Sequence, residues 1–299
     1  MVRVRVPAKV NLALSVGPLG ADGFHELATV FQAVSLYDEV GLTQRGDSDG
    51  LRIAVTGTEA AGVPLDAANL AWRAVANIAE AAGVPTNVDL AIVKGIPVAG
   101  GMAGGSADAA AAFLAAKTLW DVDVDLAAMA AELGSDVPFA LMGGMAVGSG
   151  RGDQLVPAMA RGHYEWVFAV ATEGLSTPSV YGACDRLRVD QNVPAPAIAA
   201  DLMLALRQGD PGAVGKHLSN DLQPAAISLA PHLAEVLALG EDHGALGSLV
   251  SGSGPTCAFL VAGEEQALEV GVALSSSGLC GAVRRAAGPV GGARVVAHG

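Results

Sequence analysis

Cysteine, basic residues and long apolar runs are all scarce in this chain, and each scarcity removes a class of protein. Cys184, Cys257 and Cys280 are the three cysteines among 299 residues. They are too scattered for a disulfide framework or a C-x-x-C metal site, and read as small buried hydrophobes in a reducing compartment. Lys and Arg number 17 against 30 Asp and Glu, a formal charge of −13. That balance excludes general nucleic-acid binding, which needs a basic surface to neutralise phosphates. No apolar stretch approaches the ~20 residues of a membrane span. At the N-terminus, Arg3 and Arg5 interrupt Val2, Val4 and Val6 in strict alternation, which reads as a half-buried strand and not as a signal peptide. The expectation is a cytoplasmic protein with no membrane and no nucleic-acid partner. His163, His217, His232, His243 and His298 show no ligand spacing, so no protein-bound zinc is expected.

Glycine is abundant, and its placement is informative. Lys94 to Ala110 reads Lys-Gly-Ile-Pro-Val-Ala-Gly-Gly-Met-Ala-Gly-Gly-Ser-Ala-Asp-Ala-Ala. A strand-like stretch, Asn87 to Val93, runs into this segment and an alanine-rich helical pattern leaves it. Glycines admit close approach of an anion, and the first N–H groups of the following helix are unpaired at the positive end of its dipole. The segment is therefore read as a phosphate cradle. Ser106 fits the N-cap position and could offer its hydroxyl to a phosphate or a magnesium ion. The spacing matches neither G-x-x-x-x-G-K-[ST] nor G-x-G-x-x-G, and H-R-D and D-F-G are absent.

Strand and helix patterns alternate along the chain. Val10, Leu12, Leu14 and Val16 share one face of an early strand, with Lys9, Asn11, Ala13 and Ser15 on the other. Asp22-Gly23 is a turn signal before a segment running towards Val40. Helical patterns cover Asn69 to Ala82, stopped by Gly83, then Ser106 to Trp120 and Asp125 to Leu133. Pro138 suits the first turn of a new helix, which puts Asp136 at or just before its N-terminus. After the Gly-rich stretch 143–152, strands are read at Trp166 to Ala171, Ser248 to Gly252, Cys257 to Ala262 and Cys280 to Ala286. Helices are read at Asp201 to Gln208, His232 to Leu239 and Glu264 to Ser276. This mixture predicts an α+β protein of two domains, 1–152 and 153–299.

Phosphoryl transfer needs positioning and charge stabilisation more than covalent chemistry. Asp136 is the candidate base for a hydroxyl nucleophile, with a simple N-cap as its alternative. Lys9 is the candidate partner that keeps this carboxylate ionised and offsets charge on the phosphoryl group, although a lone strand lysine is usually solvated. Val250-Ser-Gly-Ser-Gly-Pro-Thr256 reads equally as an anion-facing loop or an ordinary turn. Phe24 and His25 could stack on and hydrogen-bond to a flat ring, or be a buried Phe beside a satisfied His.

Taken together, these segments resemble the GHMP kinase superfamily. Pro7-Ala8-Lys9-Val10-Asn11-Leu12, Asp22-Gly23-Phe24-His25-Glu26-Leu27, the cradle from Ile96 to Ala110, and Ser251-Gly252-Ser253-Gly254-Pro255-Thr256 carry the match. Leu133-Gly134-Ser135-Asp136-Val137-Pro138-Phe139 is a fifth motif in the expected order. The first two point to members whose acceptor carries a cytidine diphosphate group. The resemblance implies a ribosomal-protein-S5-domain-2-like N-terminal domain and a ferredoxin-like C-terminal one. It also implies transfer of the ATP γ-phosphoryl group, with magnesium, to the 2-hydroxyl of a methylerythritol portion. Lys9 and Asp136 match the catalytic pair. Pro97-Val98-Ala99-Gly100-Gly101-Met102-Ala103-Gly104-Gly105-Ser106-Ala107 match the ATP-phosphate loop, and Asn69 and Lys94 match positions near the nucleotide. Asn11, Phe24, His25 and Tyr181 match substrate-side positions, with His25 at the cytosine edge and the two rings on its faces.

The pattern departs from the superfamily at several points. Phe24 stands where tyrosine is usual, which keeps stacking but removes a hydroxyl. Ala99, Ala103 and Ala107 replace frequent Gly, Gly and Ser, so the loop is expected to avoid left-handed backbone there. Asp108 is expected to point away from the nucleotide, because a carboxylate facing inward would repel phosphate. The superfamily's acidic magnesium ligand has no counterpart. Kinases of the same fold acting on homoserine, mevalonate or a sugar, and a non-catalytic ligand-binding protein, are the alternatives. The sequence assigns no oligomeric state.

Overall fold

The computed structural model describes residues 1–46, 50–98 and 100–298. The alternating N-terminus forms β1 (Val2–Leu19), and the Asp22-Gly23 turn leads into β2 (His25–Gln44), its antiparallel partner along most of its length. The chain continues through β3 (Arg52–Gly57), α1 (Leu70–Ala82), β4 (Val88–Lys94), α2 (Gly104–Trp120), α3 (Leu126–Leu133), α4 (Val137–Met142), β5 (Met145–Ser149) and β6 (Gln154–Pro157). It then forms β7 (Tyr164–Val170), α5 (Thr177–Leu187), α6 (Ala200–Gln208), α7 (Pro211–Lys216), β8 (Ser219–Asn220), α8 (Gln223–Leu229) and α9 (His232–Asp242). The last elements are β9 (Gly247–Val250), β10 (Cys257–Val261), α10 (Glu264–Ser277), β11 (Ala282–Gly288) and β12 (Arg294–His298).

Two sheets organise these elements. An eight-stranded sheet runs β12-β1-β2-β4-β3, with the β5–β6 hairpin added beside β2 and β8 beside β1. The second sheet has the order β11-β7-β10-β9. Numbered from β7, that order is 4-1-3-2 with helices in both crossovers, the ferredoxin-like arrangement expected of the C-terminal half. The division read at residues 152 and 153 falls in the turn of the β5–β6 hairpin, whose strands pair, and β12 brings the C-terminus back to β1. β1 itself serves both cores. Val10 and Leu12 pack in the first, while Leu14 and Val16, beyond a register shift between Asn11 and Ala13, pack in the second.

Helix α2 is the axis of the first core. Ala107, Ala109 to Ala112, Phe113, Ala115 and Ala116 are all buried. A helix apolar on every side is one enclosed by its neighbours, and α2 packs against α1, β1, β2 and α4. Alanine permits this close approach at full helix propensity. Among the described residues, no helix is long and apolar enough to cross a membrane. The three cysteines are free, and burial together with neighbouring Cys280 pushes the Cys257 thiol up to about 12.

Candidate active site

The cradle is built differently at its turn from the sequence expectation. Ala103, not Ser106, caps α2, and it does so in the left-handed conformation with φ 61° and ψ 32°. The expectation that the alanines avoid such backbone fails here, while Ala107 is helical and Ala99 lies outside the described residues. A left-handed alanine costs about 1–2 kcal/mol. What it achieves is a sharp entry that makes Gly104 and Gly105 the first helical residues, so the free N–H groups are unshielded by side chains. Ser106 becomes the third helical residue and lines the cleft.

A second glycine loop locks the first. Ser251 Oγ donates to the Gly101 carbonyl at 3.2 Å, and a Cβ added at Gly101, whose φ is +73°, would overlap the Ser251 carbonyl oxygen. The Ser251-Gly252-Ser253-Gly254 turn is therefore part of the site's wall. Asn220 holds it from behind, donating through Nδ2 to the carbonyls of Val250 at 2.6 Å and Gly252 at 2.7 Å. We expect Gly101→Ala to destabilise the fold by more than the ~1–2 kcal/mol of left-handed backbone alone and to weaken nucleotide binding. Denaturant unfolding and nucleotide titration of the variant check both, and wild-type behaviour in both would contradict the interlock.

Lys9 and Asp136 face each other. Lys9 Nζ lies 3.8 Å from Asp136 Oδ2. The Lys9 side chain is 8% exposed and Asp136 31%, so one is enclosed and the other opens to the cleft. Lys9 Nζ also donates to Asn11 Oδ1 at 2.6 Å, Asn11 Nδ2 to Thr29 Oγ1 at 2.8 Å, and Thr29 Oγ1 to the Ala13 carbonyl at 2.7 Å. This relay fixes the ammonium; the reading of Lys9 as a solvated lysine is excluded by its burial. Asp136 is the residue before α4, yet its side chain makes no capping hydrogen bond. Its carboxylate is free of that structural duty.

These groups share one cleft of about 370 Å³, with Lys9, Asn11, Asp136 and Tyr181 on one part of its wall. Pro97, Gly100, Gly101, Ala103 to Ser106 and Gly252 to Gly254 also line it. The cations on the wall are Lys9 and Arg151, against one carboxylate, Asp136. A strongly acidic protein thus presents a locally basic cleft to an anion. Burial, and then the field of Asp136, push the Tyr181 phenol well above its ordinary value, so it stays protonated.

The remaining candidates are placed as follows. Asn69 caps α1, its Oδ1 accepting from Ala71 N–H at 2.8 Å and its Nδ2 donating to the Pro64 carbonyl at 2.9 Å. Lys94 does not line the cleft: it is 2% exposed beneath the loop and donates to Asp38 and, at 2.8 Å, to Asp108. Asp108 accordingly points inward to Lys94 and away from the cleft. Burial alone would lower the Lys94 ammonium's pKa, but the two carboxylates reverse that and hold it above its ordinary value. Burial, opposed by Lys94 and reinforced by Asp38, raises the Asp108 carboxyl well above the usual carboxylate range. Phe24 is half exposed, with the Arg151 guanidinium 3.6 Å from its ring centroid. His25 stacks on Tyr181 at 5.3 Å between centroids, its Nδ1 on the Gly17 carbonyl at 2.8 Å and its Nε2 3.3 Å from Asp185 Oδ1.

A buried ammonium and a carboxylate with no capping duty stand on one wall of a cleft whose other wall is a doubly interlocked glycine loop. The family models agree with this construction: "GHMP kinases N terminal domain" matches residues 69–144 and "GHMP kinases C terminal" residues 202–278. The chain belongs to the GHMP kinase family. This kinase is 53% identical over 300 residues to a protein of Mycolicibacterium smegmatis named 4-diphosphocytidyl-2-C-methyl-D-erythritol kinase, covering 99% of this chain and 92% of that one. A solved 4-(cytidine 5'-diphospho)-2C-methyl-D-erythritol kinase superposes with a TM-score of 0.79 at 34% identity, covering 96% of this chain and 100% of the other. A homoserine kinase from Cytophaga hutchinsonii reaches a TM-score of 0.74 at 20% identity over 99% of this chain and 97% of that one, a likeness of fold alone.

Sequence reasoning passed over Asp38, Thr29, Arg151 and Asn220. Arg151 had a local signal, a lone cation in the Gly150-Arg151-Gly152 turn. The other three lie far along the chain from the groups they hold, with no local pattern to mark them.

Proposed function

We propose that this kinase transfers the γ-phosphoryl group of ATP to the 2-hydroxyl of 4-diphosphocytidyl-2-C-methyl-D-erythritol, a step of non-mevalonate isoprenoid precursor synthesis. The chemistry rests on one observation: Lys9 and Asp136, 3.8 Å apart, share a cleft with the free N-terminus of α2. The acceptor follows the names of relatives that match this chain from end to end.

In this reading the loop from Pro97 to Ala107 and the first N–H groups of α2 receive the ATP phosphates. Asp136 accepts the proton of the attacking hydroxyl. Lys9, held by Asn11 and Thr29, keeps that carboxylate ionised and offsets charge on the phosphoryl group in flight. Preorganisation by the relay matters because a donor fixed in advance needs no rearrangement as charge develops. Ser106, which lines the cleft, would hold magnesium through its hydroxyl, with the nucleotide phosphates supplying further oxygens. Once bound, the ion would neutralise phosphate charge.

On the acceptor side, Phe24, His25 and Tyr181 bind the cytosine, and Asn11 sits beside the reacting portion. Phe24→Ala is expected to raise the KM for the cytidine-bearing acceptor far more than that for ATP. Steady-state kinetics with each substrate varied checks this, and equal effects on both would contradict the pocket. The function itself is tested by ADP release with ATP and magnesium, comparing 4-diphosphocytidyl-2-C-methyl-D-erythritol with homoserine, mevalonate and galactose. Turnover with the cytidine compound alone is expected; turnover with another acceptor would overturn the acceptor assignment and leave the fold and cradle in place.

A further inference from the structure

The cluster beneath the phosphate loop takes no part in the transfer chemistry described above, yet it touches both ends of the loop. Lys94 ends β4 and Asp108 lies in the second turn of α2, so the 2.8 Å bond between Lys94 Nζ and Asp108 Oδ2 closes the chain on itself across 14 positions. Asp38, on β2, grips the same root. Its Oδ1 accepts the N–H groups of Gly95 at 2.7 Å and Ile96 at 2.9 Å, and its Oδ2 accepts Lys94. Gly104, the first residue of α2, sits directly over the ammonium: a Cβ there would lie 3.1 Å from Lys94 Nζ.

Charge balance sets Asp108 apart. Lys94 and Asp38 already form a neutral buried pair, so Asp108 is a second carboxyl in a site with one cation. Its Oδ1 is buried without a hydrogen-bond partner. An unsatisfied buried polar atom opposes folding and offsets part of what the bond to Lys94 contributes to stability. The loop it closes is rich in glycine and carries a large conformational entropy when unrestrained. Tying its two roots together removes part of that freedom before a ligand arrives, and binding then orders less.

We propose that Asp108 is a positioning residue for the nucleotide phosphates: by accepting from Lys94 it ties the start of α2 to the end of β4 and holds the loop's N–H groups ready for the phosphates. This rests on the reading of the loop as the ATP-phosphate site. It assigns to Asp108 an effect on nucleotide affinity separable from any effect on folding.

The test compares Asp108→Leu, similar in size but unable to accept a hydrogen bond, with Asp108→Asn, which still can. Affinity for a non-hydrolysable ATP analogue with magnesium is measured by calorimetry alongside thermal unfolding, and the KM values for ATP and acceptor are measured separately. Asp108→Leu is expected to weaken nucleotide binding by about tenfold, equivalent to about 1.4 kcal/mol, with the acceptor KM unchanged and no loss of thermal stability. Asp108→Asn is expected to restore most of the affinity. Wild-type affinity in Asp108→Leu would overturn the proposal, as would equal weakening in both variants. If Asp108→Leu does not fold, Asp108→Ala removes the same acceptor and is read the same way. Nucleotide titration needs no acceptor, so a wrong acceptor would leave this result standing, whereas a wild-type protein that binds no ATP analogue would remove the reading on which it rests.

Discussion

Asp136→Asn is expected to lower kcat by about 10²- to 10⁴-fold, the usual worth of a general base, while ATP binding is retained. The two substituents have nearly the same shape, and the side chain makes no capping bond that the change could break. The loss therefore falls on proton acceptance and on the charge that faces Lys9 across 3.8 Å. In the proposed reading the ATP side is built from other elements: the loop after β4 and the first turn of α2, backed by the Ser251-Gly252-Ser253-Gly254 turn. Nucleotide affinity should accordingly change little, and the fall in kcat should appear in kcat/KM for the acceptor as well, the pattern of an interaction made only in the transition state. Steady-state kinetics and nucleotide titration of the variant check both parts. Unchanged turnover would remove Asp136 from the mechanism.

Lys94→Met is expected to destabilise the protein by about 3–5 kcal/mol, the range for removing one partner of a buried ion pair. Methionine fills the volume of the side chain but leaves Asp38 and Asp108 buried against each other without a cation. Asp38 is fully buried and Asp108 nearly so, which rules out relief by water without opening the core. The deficit should depend on pH with a definite sign. With the ammonium gone, the Asp108 carboxyl loses the group that opposes the upward push of burial and Asp38, so the folded state holds that proton more strongly than the unfolded one and stability falls as pH rises. The deficit should therefore be largest at neutral pH and shrink as pH falls towards the ordinary carboxylate range. Urea unfolding at several pH values measures this, and a deficit that grows towards acid would contradict the account. The contrast with Asp108→Leu is instructive, since that change leaves a neutral Lys94–Asp38 pair where this one leaves two like charges.

Elements whose cause is local were legible in the sequence to within a residue or two. Asn69 and Gly83 bracket α1 because a side-chain cap and a left-handed glycine are the local chemistry of helix ends. Asp125 caps the start of α3 in the same way as Asn69 caps α1. The glycine loop leading into α2 was legible because its glycines stand between a strand pattern and an alanine helix. Its turn was misread, since a residue's propensity ranks serine above alanine as a cap, whereas Ala103 takes the positive φ and α2 starts at Gly104. Strand β12 and the helix α5 that carries Tyr181 went unread, the second being broken up by polar residues.

From local chemistry alone the chain determined many of its strands, several of its capped helices, its acidic balance and the glycine-rich entry to α2. Tertiary structure decided what the charged residues are for. Lys9 and Lys94 follow strand residues in much the same way, yet one meets Asp136 at a cleft and the other meets Asp38 and Asp108 in the core. The partners lie 127, 56 and 14 positions away along the chain, and the energy of a charge depends on its partners and its exposure to water. Neither quantity exists until the chain has folded.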